Sequence, residues 1–139
     1  MIDLDSARAV IAGTRAKGRE MGLAPLTVVV LDAGGHLVAM EREDGAAYGR
    51  PEIAQGKAAG ALAMGIPSRR LGEMAEQRPQ FVAALSNAWH GNLIPAAGGV
   101  LIRSSTGTLI GAVGVTGDLS DKDEEAAIAG IGAAGLTIG

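Results

Sequence analysis

Residues 26–40, LTVVVLDAGGHLVAM, are the stretch that decides the fold. Its apolar runs 26–31 and 37–40 lie on either side of the glycine-rich segment 32–36. Two short runs of β-branched and aliphatic residues that flank such a turn are typical of a β-hairpin. We therefore predict that this stretch forms two neighbouring antiparallel strands.

A second hairpin is predicted further along the chain, where the runs 100–102 and 109–115 flank Ser105-Thr106-Gly107. Helical patterns lie before, between and after the two hairpins, with apolar residues at spacings of three and four and with glycine or proline at their ends. The predicted helices cover residues 4–21 (capped by Asp3 or Asp5 and ended by Gly22), residues 53–64 (preceded by Pro51), two short stretches that begin at Ser68 and Pro79, and residues 121–134.

Two hairpins in one chain can join as one antiparallel sheet, and helices placed before, between and after them can cover both of its faces. The sequence thus predicts an α+β, three-layer fold. A length of 139 residues fits one domain, so we expect residues 1–139 to form a single unit around one core.

The composition excludes several classes of function. A formal charge of −3 with scattered Lys and Arg argues against a nucleic-acid partner. No apolar run is long enough to span a bilayer, and the acidic first residues do not resemble a signal peptide, so no membrane role and a cytoplasmic location are expected. The absence of cysteine excludes disulfides and thiolate chemistry. An aromatic fraction of 2% implies a small-residue core, and self-association would bury more apolar surface.

A set of motifs follows one another in order along nearly the whole chain. They are residues 30–39 (VLDAGGHLVA), Arg42 with Asp44-Gly45-Ala46, Lys57-Ala58, Gly98-Gly99-Val100, residues 110–117 (IGAVGVTG), Asp123-Glu124 and Ala129-Gly130. As an ordered set, these motifs resemble the GlcG/HbpS-like family, which includes haem-degrading proteins and the C-terminal domain of PduO-type proteins.

The resemblance implies a profilin-like fold with a five-stranded antiparallel sheet between helices, and homo-oligomers from dimers upward. It also implies a link to haem binding and degradation, to corrinoid adenosyltransferases, or to small-molecule catabolism. Two departures bear on function. The family loop Pro-Gly-Gly-x-Pro is here Ala97-Gly98-Gly99-Val100-Leu101, and the first helix lacks the imidazole that haem-binding members tend to supply.

His90 and Lys57 are the candidates for proton transfer. His90 follows an apolar helix, where a neutral imidazole could act as a general base or a cationic one could favour the helix C-terminus. Lys57 interrupts an alanine-rich helical face, where burial could lower the pKa of its amine, or where it could pair with a carboxylate or reach solvent. The site is expected at the edge of the sheet, where the loop 92–99 meets the second helix and the first hairpin.

Other residues are candidates for ligand contact. Arg42 could clamp a carboxylate, although pairing with Asp44 is the simpler expectation. Asp32 could hold a ligand or bond its own turn, and Trp89 lies next to His90. The backbone N–H groups of Gly98 and Gly99 could receive an anion, or these glycines could serve positive φ angles.

No metal site is predicted. The acidic residues of the last helix do not have the spacing of a calcium loop, and carboxylates are expected at a helix N-terminus. Haem is left as a minor possibility, because only two imidazoles and one phenol could ligate iron. The acidic residues are Asp118, Asp121, Asp123, Glu124 and Glu125, and the possible haem ligands are His36, His90 and Tyr48.

Three functions therefore remain open. The first is a small-molecule-binding protein that acts on or carries a metabolite in a pocket near a subunit interface. The second is a cofactor-free acid–base enzyme that uses His90 and Lys57, with Arg42 orienting a carboxylate-bearing substrate. The third is a haem-binding or haem-degrading protein.

Overall fold

A five-stranded antiparallel sheet lies between two layers of helices. The computed structural model describes all residues from 1 to 139. In chain order the elements are α1 (Leu4–Glu20), β1 (Thr27–Asp32), β2 (Leu37–Arg42), α2 (Arg50–Met64), α3 (Ser68–Gln77), α4 (Pro79–Ala88), β3 (Gly99–Arg103), β4 (Leu109–Thr116), α5 (Ser120–Ala133) and β5 (Thr137–Ile138). The strand order is β2-β1-β4-β3-β5, and every neighbouring pair is antiparallel. The predicted α+β, three-layer fold is confirmed.

Alternation along β1 divides its side chains between the two faces of the sheet. Val28 and Val30 pack with residues of α1 and α5, whereas Val29 and Leu31 pack with the alanine face of α2. A strand that is buried on both faces has the continuous apolar sequence seen in residues 26–31. This is why the first hairpin is the clearest signal in the chain.

The α2 helix lies unusually close to the sheet because both surfaces carry small residues. Gly114 in β4 faces Ala54, and a Cβ atom at residue 114 would overlap the Ala54 carbonyl oxygen. Gly99 at the start of β3 faces the Lys57 carbonyl oxygen in the same way. These glycines therefore set the distance between the helix and the sheet.

The chain ends are tied to the sheet. Asp3 is the N-cap of α1, and its carboxylate accepts the Ser6 N–H at 2.7 Å. Of the two caps that the sequence allowed, Asp3 and Asp5, the structure thus uses Asp3. At the other end, Thr137–Ile138 adds a short fifth strand beside β3. None of the helices combines the length and the apolar character that crossing a membrane requires.

Gly114→Ala should destabilise the protein by at least about 2 kcal/mol, because the added methyl group forces α2 away from the sheet. Gly132→Ala in α5 is the matched control, since a Cβ atom there meets nothing within 4 Å. The control should gain about 0.5–1 kcal/mol from improved helix propensity. Urea unfolding of the two variants measures both changes, and equal stabilities would contradict the close approach.

Candidate functional site

Lys57 lies inside the protein, between α2 and the sheet. Its side chain is almost fully buried, with 2% of the residue exposed. The Nζ atom donates to the Val115 carbonyl oxygen at 2.9 Å and to Asp123 Oδ2 at 3.3 Å. Asp123 belongs to α5 in the opposite helical layer and is equally buried. This ion pair thus joins the two helical layers past the end of the sheet.

Burial dominates the electrostatics of this pair. It lowers the pKa of the Lys57 amine, although the Asp123 carboxylate opposes that change. It raises the pKa of the Asp123 carboxyl, against the N–H group of Asp118 and the charge of Lys57. Because a buried charge is costly without a partner, each group requires the other. Asp123 is therefore more than the helix-terminal carboxylate that the sequence indicated.

Gly98 packs against the side chain of Lys57, and Gly99 packs against the Lys57 backbone carbonyl. A Cβ atom at residue 98, where φ is +130°, would lie 2.9 Å from Lys57 Nζ and would overlap the Val115 carbonyl oxygen. The Gly99 N–H donates to Ser68 Oγ at 2.7 Å, so this N–H already has a partner. The double glycine accordingly makes room for the lysine. Ser68, which the sequence indicated only as a helix start, provides the hydrogen-bond partner for backbone groups of the loop: its Oγ accepts the Gly99 N–H and donates to the Ala96 carbonyl.

Trp89 lines a cavity at the C-terminal end of α2. The cavity holds about 70 Å³ and lies between the first hairpin turn and the C-terminal part of that helix. Trp89 is the only tryptophan of the chain and is 40% exposed. The remaining lining residues are Ala33, Gly34, Gly35, Leu62 and Ala63. This cavity combines an aromatic wall with small and aliphatic residues.

Asp32 organises the turn beside this cavity. Its Oδ1 atom accepts the N–H groups of Gly34 at 2.9 Å and of His36 at 3.0 Å, and lies 3.2 Å from His36 Nδ1. The backbone N–H of His36 is the main cause that lowers the pKa of the Asp32 carboxyl, and the N–H of Gly34 lowers it further. Burial acts in the opposite direction. Asp32 thus bonds its own turn, which was one of the two alternatives, and this turn borders the cavity. Contact of Asp32 with a ligand stays a prediction.

His90 lies on the surface just after α4. Its φ is +58°, its backbone N–H donates to the Asn87 carbonyl, and its ring centroid is 6.3 Å from that of Trp89. No hydrogen bond or ion pair joins His90 to Lys57, and neither residue lines a cavity. One protomer therefore does not bring the two predicted proton-transfer groups together, and their catalytic role stays a prediction.

Arg42 does not pair with Asp44, so that expectation was wrong. Arg42 Nη1 donates instead to the Ala46 carbonyl at 2.8 Å, because the chain turns back after β2 and brings this carbonyl within reach. Arg50, which sequence analysis did not select, donates to Thr116 Oγ1 at 2.9 Å, and its charge further lowers the pKa of Lys57. Only the fold places Arg50 near Lys57, since no local pattern marks it.

A second cavity, of about 90 Å³, lies beside the short strand β5. Its apolar part is formed by Val100, Leu101, Ile128 and Ile138, and the pair of Arg69 and Glu124 lies at its polar side. None of the site residues predicted from the sequence lines it. No group of three or more His, Asp or Glu side chains lies close enough together to hold a metal ion.

The sheet between two helical layers is shared with several solved structures. The complex of PduOC with haem has a TM-score of 0.85 at 22% identity, over 99% of this chain and 96% of that chain. Protein ORFY of Klebsiella pneumoniae has a TM-score of 0.86 at 23% identity, over 96% and 90%. A double mutant of HbpS from Streptomyces reticuli has a TM-score of 0.80 at 25% identity, over 94% and 85%.

These likenesses define the class of fold as that of the HbpS-like α+β proteins. The family model described as haem degrading protein HbpS-like matches residues 2–132, and the chain belongs to this family. The resemblance found in the sequence motifs is thereby confirmed. No curated protein sequence matches the chain.

Asp123→Asn should destabilise the protein by about 3–5 kcal/mol near neutral pH, because it leaves the Lys57 ammonium buried without a counter-charge. Without the carboxylate, the pKa of Lys57 falls further below its ordinary value of 10.5. At pH values between the lowered pKa of Lys57 in the folded variant and its ordinary pKa in the unfolded chain, the unfolded chain binds more protons. The stability of the variant should therefore rise with pH in this range. Urea unfolding at several pH values measures this slope.

Two controls accompany this prediction. Asp121→Asn removes an exposed carboxylate from the same helical turn and should change stability by less than about 0.5–1 kcal/mol. The double variant with Lys57→Met and Asp123→Asn has no buried charge in the pair and should lose the pH slope of the single variant. A slope that persists in the double variant would show that another group titrates.

Proposed function

We propose that the protein binds a small organic molecule at the Trp89 cavity, and that a second copy of the chain closes the site. The observation that carries this proposal is the position of the only tryptophan, which is partly exposed against a cavity instead of buried in the core. Apolar and aromatic walls with a few polar groups at the rim are typical of ligand sites. The family and the haem complex of the similar PduOC are in keeping with a small-molecule ligand.

The size of the cavity argues for closure by a partner. Pockets that enclose a metabolite or drug-sized ligand usually have about 300–1,000 Å³. The two cavities of this chain hold about 70 and 90 Å³, so either could receive only part of such a ligand. A ligand at Trp89 would therefore extend beyond the protomer, and a neighbouring copy could cover the remainder.

The distribution of aromatic side chains supports self-association. The chain has one Trp, one Tyr and one Phe, and all three are exposed to solvent in the protomer. Phe81 lies in α4 and Trp89 directly follows it. The small cluster that holds α4 contains only Leu71, Val82 and Leu93 as buried members. Because aromatic residues are enriched at interfaces, this region is the part of the surface that we assign to a second copy.

Haem does not fit the residues of one protomer as a buried cofactor. The imidazoles of His36 and His90 and the phenol of Tyr48 are all exposed, and α1 contains no histidine. Neither cavity approaches the volume that a porphyrin requires. Any haem would therefore have to lie on the surface or between copies, and we expect its binding to be weak.

An acid–base enzyme that uses His90 and Lys57 is the second candidate of the sequence analysis. It would require the Lys57 amine to leave the buried contact with Asp123, at the energetic cost of an unpaired carboxylate. A carrier or binding role at the Trp89 cavity needs no such rearrangement. We therefore place the ligand, and any chemistry performed on it, at the Trp89 end of α2.

At micromolar concentration the protein should have a mass of at least twice its 13.9 kDa protomer. Light scattering coupled to size exclusion measures this mass. Phe81→Ser should shift the distribution towards the protomer, whereas Leu4→Ser, which changes an exposed apolar residue of α1, should leave it unchanged. A protomer mass for the unmodified protein would contradict closure by a second copy.

Ligand binding should quench the fluorescence of Trp89, which reports on this cavity alone because it is the only tryptophan. In a screen of metabolites, Ala63→Leu should weaken every true ligand about tenfold or more, since the larger side chain fills the cavity. Ala16→Leu, at an exposed position of α1 that lines neither cavity, is the matched control. In a separate titration with haem, we expect no sharp stoichiometric change of the Soret band. A sharp change that His90→Ala abolishes would show that the protein binds haem through His90.

A further inference from the structure

We infer that His36, oriented by Asp32, is the proton-accepting group at the rim of the Trp89 cavity, and that the ligand is a hydroxyl-bearing aromatic compound of the phenol class. This inference rests on the proposed function, because it names the polar group and the ligand chemistry of the same site. The turn that contains both residues was predicted from the sequence, but their contact was not.

The first step of the argument is the orientation of the imidazole. His36 Nδ1 lies 3.2 Å from Asp32 Oδ1, and an ionised carboxylate can only accept a hydrogen bond. In a neutral imidazole, this contact places the proton on Nδ1 and leaves the lone pair on Nε2. The two backbone N–H groups that also bind Asp32 Oδ1 keep the carboxylate in place. Nε2 is therefore a fixed and available acceptor.

The second step is the position of the ring relative to the cavity. A Cβ atom at Gly34 would lie 2.9 Å from His36 Cε1 and 3.0 Å from His36 Nδ1, so the imidazole rests directly on the backbone of Gly34. Gly34 is itself a lining residue of the Trp89 cavity. The ring also remains open to solvent, with 79% of its side chain exposed. His36 is not itself a lining residue; its ring lies beside the cavity against the lining residue Gly34, where it can meet the part of a ligand that extends out of the cavity.

The third step is the chemistry of the ligand. The indole of Trp89, the side chains of Leu62 and Ala63 and the peptide planes of Gly34 and Gly35 form a largely apolar boundary suited to a flat body. The imidazole Nε2 adds a side-chain acceptor beside that boundary, so a ligand that matches it carries a donor at its edge. An aromatic hydroxyl combines both features.

A proton can then move within this contact without any further reagent. The ligand O–H bond breaks, an N–H bond forms at His36 Nε2, and the products are a phenolate and an imidazolium. The Asp32 carboxylate remains ionised and stabilises the imidazolium, because its hydrogen bonds hold its own pKa below the ordinary value. No electron transfer is involved.

The orientation can be measured without a ligand. In ¹⁵N NMR spectra of neutral His36, the unmodified protein should show the Nδ1–H tautomer in excess. Asp32→Asn keeps an oxygen for the two backbone N–H groups but removes the charge, so the excess should decrease while the fold is retained. His90, which has no carboxylate partner, is the internal reference. An Nε2–H tautomer for His36 would overturn the inference.

The ligand class is tested with 4-nitrophenol and nitrobenzene, which share an aromatic body and differ in the hydroxyl. Trp89 fluorescence reports binding, and the visible absorption of the nitrophenolate reports the position of the proton. We expect 4-nitrophenol to bind about tenfold more tightly than nitrobenzene, with an increased phenolate fraction. His36→Leu leaves no acceptor and should remove both effects, whereas His36→Gln keeps an accepting oxygen and should remove only the increased phenolate fraction. His90→Leu, at the neighbouring imidazole, should remove neither.

The outcomes separate this inference from the proposed function. Equal binding of the two probes, or 4-nitrophenol binding that His36→Leu leaves unchanged, would overturn the role of His36 while the Trp89 site stands. Quenching by neither probe would overturn the phenol class. The proposed function itself fails only if no metabolite in the screen shows binding that Ala63→Leu weakens and Ala16→Leu does not.

Discussion

The close approach of α2 to the sheet is the constraint on which the rest of the structure depends. Gly99 and Gly114 allow helix carbonyl groups to contact strand backbone directly, so no layer of large side chains separates the two. The helix can then present only small residues to the sheet, which is why its buried face is almost entirely alanine and glycine. Such packing gains dispersion contacts from the backbone itself and compensates in part for the lack of aromatic core residues.

Lys57 is the exception on that face, and its contacts follow from the same constraint. The space beside Gly98 accepts the aliphatic stem and encloses the ammonium group inside the protein. The Val115 carbonyl and the Asp123 carboxylate solvate this group at the end of the sheet. A lysine that looked suited to catalysis in the sequence is thus engaged in a contact between layers. Breaking the pair by removing one partner costs more than replacing both, which distinguishes a structural ion pair from two independent charges.

The sequence predicted the hairpins and the helices because each rests on local patterns: alternation, helical spacing, and turn or cap residues. The short strand Thr137–Ile138 has no such pattern, since two residues cannot show a period, and only the family resemblance indicated a fifth strand. The partner of Lys57 was also out of reach, because 66 residues separate it from Asp123. By contrast, the turn residue Asp32 and the residue Trp89 were selected from the sequence, and the structure places both at one end of α2.

The middle of α2 and its C-terminal end therefore differ in what they can do. Around Lys57, the polar groups bond one another and are enclosed, so a ligand would have to displace an internal contact. At the C-terminal end, Trp89 and His36 retain exposed surface. A core built from aliphatic residues has no need of the three aromatic side chains, and partly exposed aromatic residues are typical of ligand sites and interfaces. A ligand that contacts Trp89, covered by a second copy that contacts Phe81, accounts for two of the three; nothing in the structure explains Tyr48.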